Sequence, residues 1–123
     1  AVPIRTHVGG HVPLHTTAVG KAILAFSPAE RLGEVVDAGL TRWTPHTITE
    51  PGRLAAAVAM VRRMGVGYSC QEMGLGVTSV AAPVIVDGRL QAALGIVCRS
   101  TTQIDRFVPA ARAAALAITR AIS

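Results

Sequence analysis

A chain of 123 residues, half of them apolar and only 15% charged, is long enough to enclose one core but carries little charge to cover it. Some apolar surface is therefore expected against a partner chain, and apolar runs such as Val77 to Val86 are too short to span a bilayer. The formal charge of +5 comes mainly from arginines scattered singly, with aromatics at 3%, which counts against this chain gripping nucleic acid by itself.

Residues 1 to 14 read as extended around a turn at Gly9-Gly10. The pattern starts midway at Ala1-Val2-Pro3, so a preceding segment is expected, and no signal peptide opens the chain. A first helix is predicted from about Thr17 to Phe26, capped by Thr16 or Thr17. Ser27, Pro28 and Glu30 form a capping box for a second helix, whose apolar side is Leu32, Val35 and Val36 and whose stop is Gly39. Leu40 to Ile48 reads as a loop anchored by Trp43. A third helix opens at Thr49-Glu50-Pro51, carries Leu54, Val58 and Val61 on one side, and ends at Gly65.

Three strands follow, at about Val66 to Gln71, Val77 to Val86 and Leu90 to Arg99, the last two joined by an Asp87-Gly88 hairpin turn. Thr102 is expected to cap a closing helix with an apolar stripe at Ile104, Phe107, Ala111, Ala115, Ile118 and Ile122, slightly bent at Pro109. The order predicts an α+β domain with a central antiparallel sheet flanked by helices.

Side chains alternate across a strand, so the sheet divides into two faces. Thr78, Val80, Ala82, Val84 and Val86 share a bulky face with Leu90, Ala92, Leu94, Ile96 and Cys98. The opposite face is mostly small: Ser79 and Ala81 beside Val77, Ala93 and Gly95 beside Gln91 and Val97, with Ser69 possible on the first strand. A packed face requires bulk, so this one either admits a helix at close range or holds a ligand. The residues by themselves lean toward the helix.

Three segments resemble the effector domain of the IclR family of bacterial transcriptional regulators. Pro13-Leu14-His15-Thr16-Thr17-Ala18-Val19-Gly20-Lys21-Ala22 is similar to its "LHxTAxGKA" run, and Leu40-Thr41 through Thr47-Ile48-Thr49-Glu50-Pro51 to its "LxxxTxxTITDP". Gly65, Ser69, Glu72, Ser79 and Ala81 fall at the spacing of its signature, although Ile85 and Val86 replace the aromatic and acid that usually follow. The resemblance implies that residues 1–123 are an effector-binding and oligomerisation domain of GAF-like fold with a ligand cavity. It also implies a winged DNA-binding domain before this region, the only route to operator DNA, in a cytoplasmic homodimer or tetramer.

Carried over by position, the cavity is lined by Ala18, Val19 and Gly20 at a helix start and by Ser69, Val77, Ser79, Gly95 and Val97 on the small face. Unpaired helix-start amides attract a carboxylate, and the two serines can add hydrogen bonds, so the implied ligand is a small organic acid. Relatives that bind very small acids often carry an aspartate and serines where this chain has Ser69, Gly95 and Val97, which points to a larger or less polar acid, such as an aromatic one.

Other chemistries are weaker. His7, His11 and His15 are four apart, but Gly9, Gly10 and Pro13 oppose the helix that would bring them to one metal. Cys70 and Cys98 fall on the bulky face and read as buried structural thiols in a reducing compartment. Glu72 is expected to hold the Gly74-Leu75-Gly76 loop through backbone amides, and Lys21 to pair with Glu72, Asp37 or a ligand acid. Gly74-Leu75-Gly76 lacks what a dinucleotide loop requires, so no cofactor, metal or catalytic set is expected. Two alternatives stay open: an enzyme of this fold using Cys70 or Ser79 as nucleophile, and a domain that only dimerises.

Overall fold

The computed structural model describes residues 13 to 123, so the expected extended start, the Gly9-Gly10 turn and His7 and His11 lie outside the described residues. The chain runs α1 (Ala18–Ala25), α2 (Ala29–Ala38), α3 (Pro51–Met64), β1 (Gly67–Cys70), β2 (Val77–Val86), β3 (Arg89–Arg99), a 3-10 turn (Ile104–Phe107) and α4 (Val108–Ile122). The strands form an antiparallel sheet in the order β1-β2-β3. This is the expected α+β arrangement.

The strand register sorts the two faces. Gly67, Ala81 and Gly95 stand side by side across the sheet, and Ser69, Ser79 and Val97 form the neighbouring row on the same face. The opposite face carries Tyr68, Val80 and Ile96. At the hairpin Asp87 and Gly88 both take positive φ, 52° and 75°, the type I′ geometry that matches strand twist. A bulge at Gln91 pairs Ile85 with Leu90, so Leu90 leaves the bulky row expected for it.

Each face has its own core. Val66, Val80, Ala82 and Val84 pack against Ala111 and Ala115 of α4 on the bulky side. On the small side Ala81 meets Ala18, Ala22 and Ala25 of α1, with Leu54, Val58 and Val61 of α3 behind. The 4- and 3-residue spacing of those α3 side chains places them on one stripe, and Gly65 at φ 78° ends the helix in the left-handed conformation. Fully burying such aliphatic side chains is worth ~1.5–3 kcal/mol each.

Single arginines tie these layers together. Arg62 Nε on α3 donates to the Ala25 carbonyl at the end of α1 at 2.8 Å, and Arg112 Nη2 on α4 donates to the Met64 carbonyl at the end of α3 at 2.8 Å. Helix ends leave carbonyls unpaired and carry partial negative charge, so a guanidinium there satisfies both. Part of the basic excess therefore serves helix termini.

Four local expectations are corrected. Ser27 does not cap α2; its hydroxyl donates back to the Ile23 carbonyl, closing α1, and α2 begins without a side-chain cap. Trp43 is 55% exposed and does not anchor its loop, which is held by the Thr44 and Thr47 hydroxyls and by Leu40 and Ile48 packed against the core. Thr102 caps no helix: the chain first makes the 3-10 turn, and α4 starts with Pro109 in its first turn, where a missing N–H costs nothing. Cys70 is exposed and Cys98 half-buried, since α4 packs over β2 and β3 and leaves the end of β1 open. Among the described residues no helix is long and apolar enough to cross a membrane.

Candidate functional site

The start of α1 is fixed by a short network. Thr17 takes extended dihedrals, φ −118° and ψ 153°, and its Oγ1 accepts the Gly20 amide at 2.9 Å. Thr16 and Thr17 hydroxyls both donate to the Pro13 carbonyl, and Ser69 Oγ donates to the Thr16 carbonyl at 2.6 Å. His15 Nε2 lies 2.9 Å from the Thr41 carbonyl, so this ring serves the loop geometry. Among the described residues no group of histidine, cysteine, aspartate or glutamate side chains is placed to hold a metal ion.

This network divides the helix-start amides. Gly20, expected among the free ones, is already bonded to the Thr17 cap. Ala18 and Val19 amides have no hydrogen-bond partner among the described residues. Such unpaired donors at the positive end of a helix are the groups that attract an anion.

Below them the small face does two things. Along the row Gly67, Ala81 and Gly95 it admits α1 at close range: a Cβ on Gly67 would stand 2.6 Å from the Ala18 carbonyl oxygen, and one on Gly95 would stand 2.8 Å from Val19 Cγ1. There the close-packed helix foreseen from the residues is what occupies the face. The next row, about 7 Å along the strands, is treated unevenly. Ser69 is covered by the Thr16 carbonyl and only 6% exposed, so its proton is spent on the fold and not available to a ligand. Ser79 in the middle is half-buried with no hydrogen-bond partner for its hydroxyl among the described residues, and Val97 at the β3 side is 50% exposed.

Ser79 and Val97, with Val77 on the same face at the start of β2, thus form a partly exposed row next to Gly95, on which Val19 of α1 packs. Of the residues named from the sequence, Ala18 and Val19 stand at the start of α1 and Val77, Ser79 and Val97 on the outer row, whereas Gly95 lies beneath Val19, and Ser69 and Gly20 offer no donor. A separate open cavity of about 470 Å³ lies at the far hairpin, lined by Val86, Asp87, Arg89, Gln91 and Ile122, where no predicted site residue falls.

Lys21 does not face that row. Its ammonium donates to Glu72 Oε2 at 2.8 Å and to the Tyr68 carbonyl at 2.9 Å, and lies 2.7 Å from Glu72 Oε1 in an ionic contact that makes no hydrogen bond, so Lys21 is committed to Glu72 and β1. This is the pairing with Glu72 that the residues allowed. Glu72 itself does not hold the glycine loop as expected; Gln71 Oε1 accepts the Gly76 amide at 2.9 Å instead. Gly67, Thr44 and Thr47 are structural determinants that the sequence reading does not single out, and Thr16, a candidate cap there, instead donates to the Pro13 carbonyl and offers its own carbonyl to Ser69. For Gly67 the signal was a glycine in line with Ala81 and Gly95; the two loop threonines stood inside a recognised motif without an assigned partner.

The whole chain, residues 1–123, matches the family model described as bacterial transcriptional regulator IclR C-terminal. Over 121 residues it is 40% identical to the probable transcriptional regulator SauR of Cupriavidus necator, covering 92% of this chain and 48% of that protein. It is 33% identical over 119 residues to the p-hydroxybenzoate hydroxylase transcriptional activator of Acinetobacter baylyi, covering 89% of this chain and 43% of that protein. A crystal structure of an IclR homolog complexed with 4-hydroxybenzoate, from Microbacterium hydrocarbonoxydans, superposes with a TM-score of 0.92 at 30% identity over 98% of this chain and 52% of that one. The chain spans about half the length of the curated relatives it matches.

Proposed function

Because this chain belongs to the IclR family of bacterial transcriptional regulators, as their C-terminal, GAF-like domain, we propose that it is a sensor that seats a small organic acid at the start of α1. The observation that carries this reading is that, among the described residues, the Ala18 and Val19 amides and the Ser79 hydroxyl have no hydrogen-bond partner. The acid's carboxylate is received by the two amides, and Ser79 supplies a further hydrogen bond. Its body lies over Val77 and Val97 beside the Val19 side chain, an apolar floor that suits a ring better than a two- or three-carbon polar acid. The relative solved with 4-hydroxybenzoate supports the aromatic class.

In the full-length regulator the domain acts by linkage. An acid that binds two quaternary arrangements with different affinity shifts the balance between them, and with it the spacing of DNA-binding domains outside this chain. Operator contact belongs to those domains, in a cytoplasmic homodimer or tetramer. The domain is a regulator and not an enzyme in this reading. Ser79 has no hydrogen-bonded base among the described residues, and Cys70 points away from the small face.

The test is a thermal-shift series with 4-hydroxybenzoate, its isomers and pyruvate, run on the chain and on Ser79→Leu. An aromatic acid is expected to raise the melting temperature in a concentration-dependent way, and Ser79→Leu to abolish the rise. A larger shift with pyruvate, or an aromatic effect that survives Ser79→Leu, would contradict the reading.

A further inference from the structure

Glu72 is 8% exposed and takes no part in the ligand site, yet it touches three elements. Its carboxylate holds Lys21 of α1 and accepts the Cys70 amide at the end of β1 at 3.3 Å. Its backbone carbonyl accepts the Thr47 hydroxyl at 2.6 Å. Thr47 Oγ1 in turn accepts the amides of Trp43 at 3.0 Å and Thr44 at 2.9 Å, and Thr44 Oγ1 donates to the adjacent Gln71 carbonyl at 2.6 Å. An unbroken line of hydrogen bonds and one buried ion pair therefore runs from α1 through Glu72 to the backbone of Trp43. That residue, the chain's single tryptophan, is exposed in the middle of a loop whose apolar ends, Leu40 and Ile48, pack against the core.

We propose that Glu72 is a positioning residue that joins α1 and the Trp43 loop into one mechanical unit, so that an acid seated at the start of α1 is read out at the protein surface around Trp43. Lys21 lies one turn beyond the Ala18 and Val19 amides, so a shift of the helix start moves its ammonium. A buried ammonium and carboxylate separate only at high cost, so the Glu72 backbone follows. Thr47 then carries the displacement to the Trp43 amide. The readout rests on the proposed ligand site; the coupling between Lys21 and Trp43 does not.

The single tryptophan makes the coupling measurable without a ligand, as fluorescence anisotropy and acrylamide quenching of the folded chain. Lys21→Met and Glu72→Gln are each expected to raise quenching and lower anisotropy of Trp43, as Thr47→Val does, while Thr47→Ser keeps the wild-type signal. The double variant Glu72→Gln/Thr47→Val is expected to match Thr47→Val alone, because both cut one line. Unchanged Trp43 signals in folded Glu72→Gln, or effects that simply add, overturn the proposal; Glu72→Gln keeps shape and an acceptor oxygen, so the test stands if Lys21→Met does not fold.

A second arm titrates 4-hydroxybenzoate by calorimetry and by Trp43 emission. Wild type is expected to give heat and an emission shift, and Glu72→Gln to keep the heat and lose the shift. Heat with an intact shift in Glu72→Gln overturns the readout. No heat in wild type removes the aromatic-acid reading and the readout with it, while the ligand-free arm still decides the coupling.

Discussion

Lys21 and Glu72 meet where α1 crosses the end of β1, with side chains only 5% and 11% exposed. Removing one partner leaves the other charge poorly solvated and unpaired, so Lys21→Met is predicted to lower the unfolding free energy in urea by about 3–5 kcal/mol. Replacing both, as Lys21→Met/Glu72→Leu, should recover most of that loss, since no charge is then left behind. At Gly67 a Cβ would press on the Ala18 backbone, which cannot step aside as a flexible side-chain end could. Gly67→Ala is therefore predicted to cost about 1–3 kcal/mol in the same urea experiment. The small residues of the face could be read from strand alternation, and Lys21 with Glu72 could be named as partners. What alternation could not show is which hydroxyls are already spent. Ser69 and Ser79 look alike in the chain, and only the descent of the Thr16 carbonyl onto Ser69 separates them.

Elements whose ends carry their own chemistry were legible before any packing was known. Pro51 and Gly65 bound α3, and Asp87-Gly88 adopts the turn that its residue types favour. Where an end depends on tertiary partners, local signals mislead. Ser27 finds an α1 carbonyl closer than the α2 amides, and Pro109 moves the start of α4 past Thr102. The expected α4 stripe is buried at Ala111 and Ala115 but open at its far end, where Ile118 and Ile122 are 36% and 54% exposed, as is Leu116, outside that stripe, at 50%. If this end meets another copy, Leu116→Glu/Ile122→Glu should lower the molar mass measured by light scattering. The melting temperature of the separated domain should stay near wild type, as exposed substitutions usually cost under ~0.5 kcal/mol. An unchanged mass would place the subunit contact elsewhere.

Across the whole molecule the sheet separates two cores with different duties. The bulky face and α4 make a continuous apolar layer, suited to stability. The small face brings α1 close enough that Ala18 and Val19 of its first turn sit on Gly67 and Gly95, one row from Ser79 and Val97, while its end is held by Arg62 from α3. The glycines and alanines thus set the height of a helix whose first turn stands beside a partly exposed row of the sheet. The most direct check is a 1H–15N NMR titration of the chain with 4-hydroxybenzoate. The account predicts that the Ala18 and Val19 amides move first and farthest, with Ser79 and Val97 following. Perturbations centred on Asp87, Arg89 and Gln91 at the far hairpin, or none at all, would contradict a site at the start of α1.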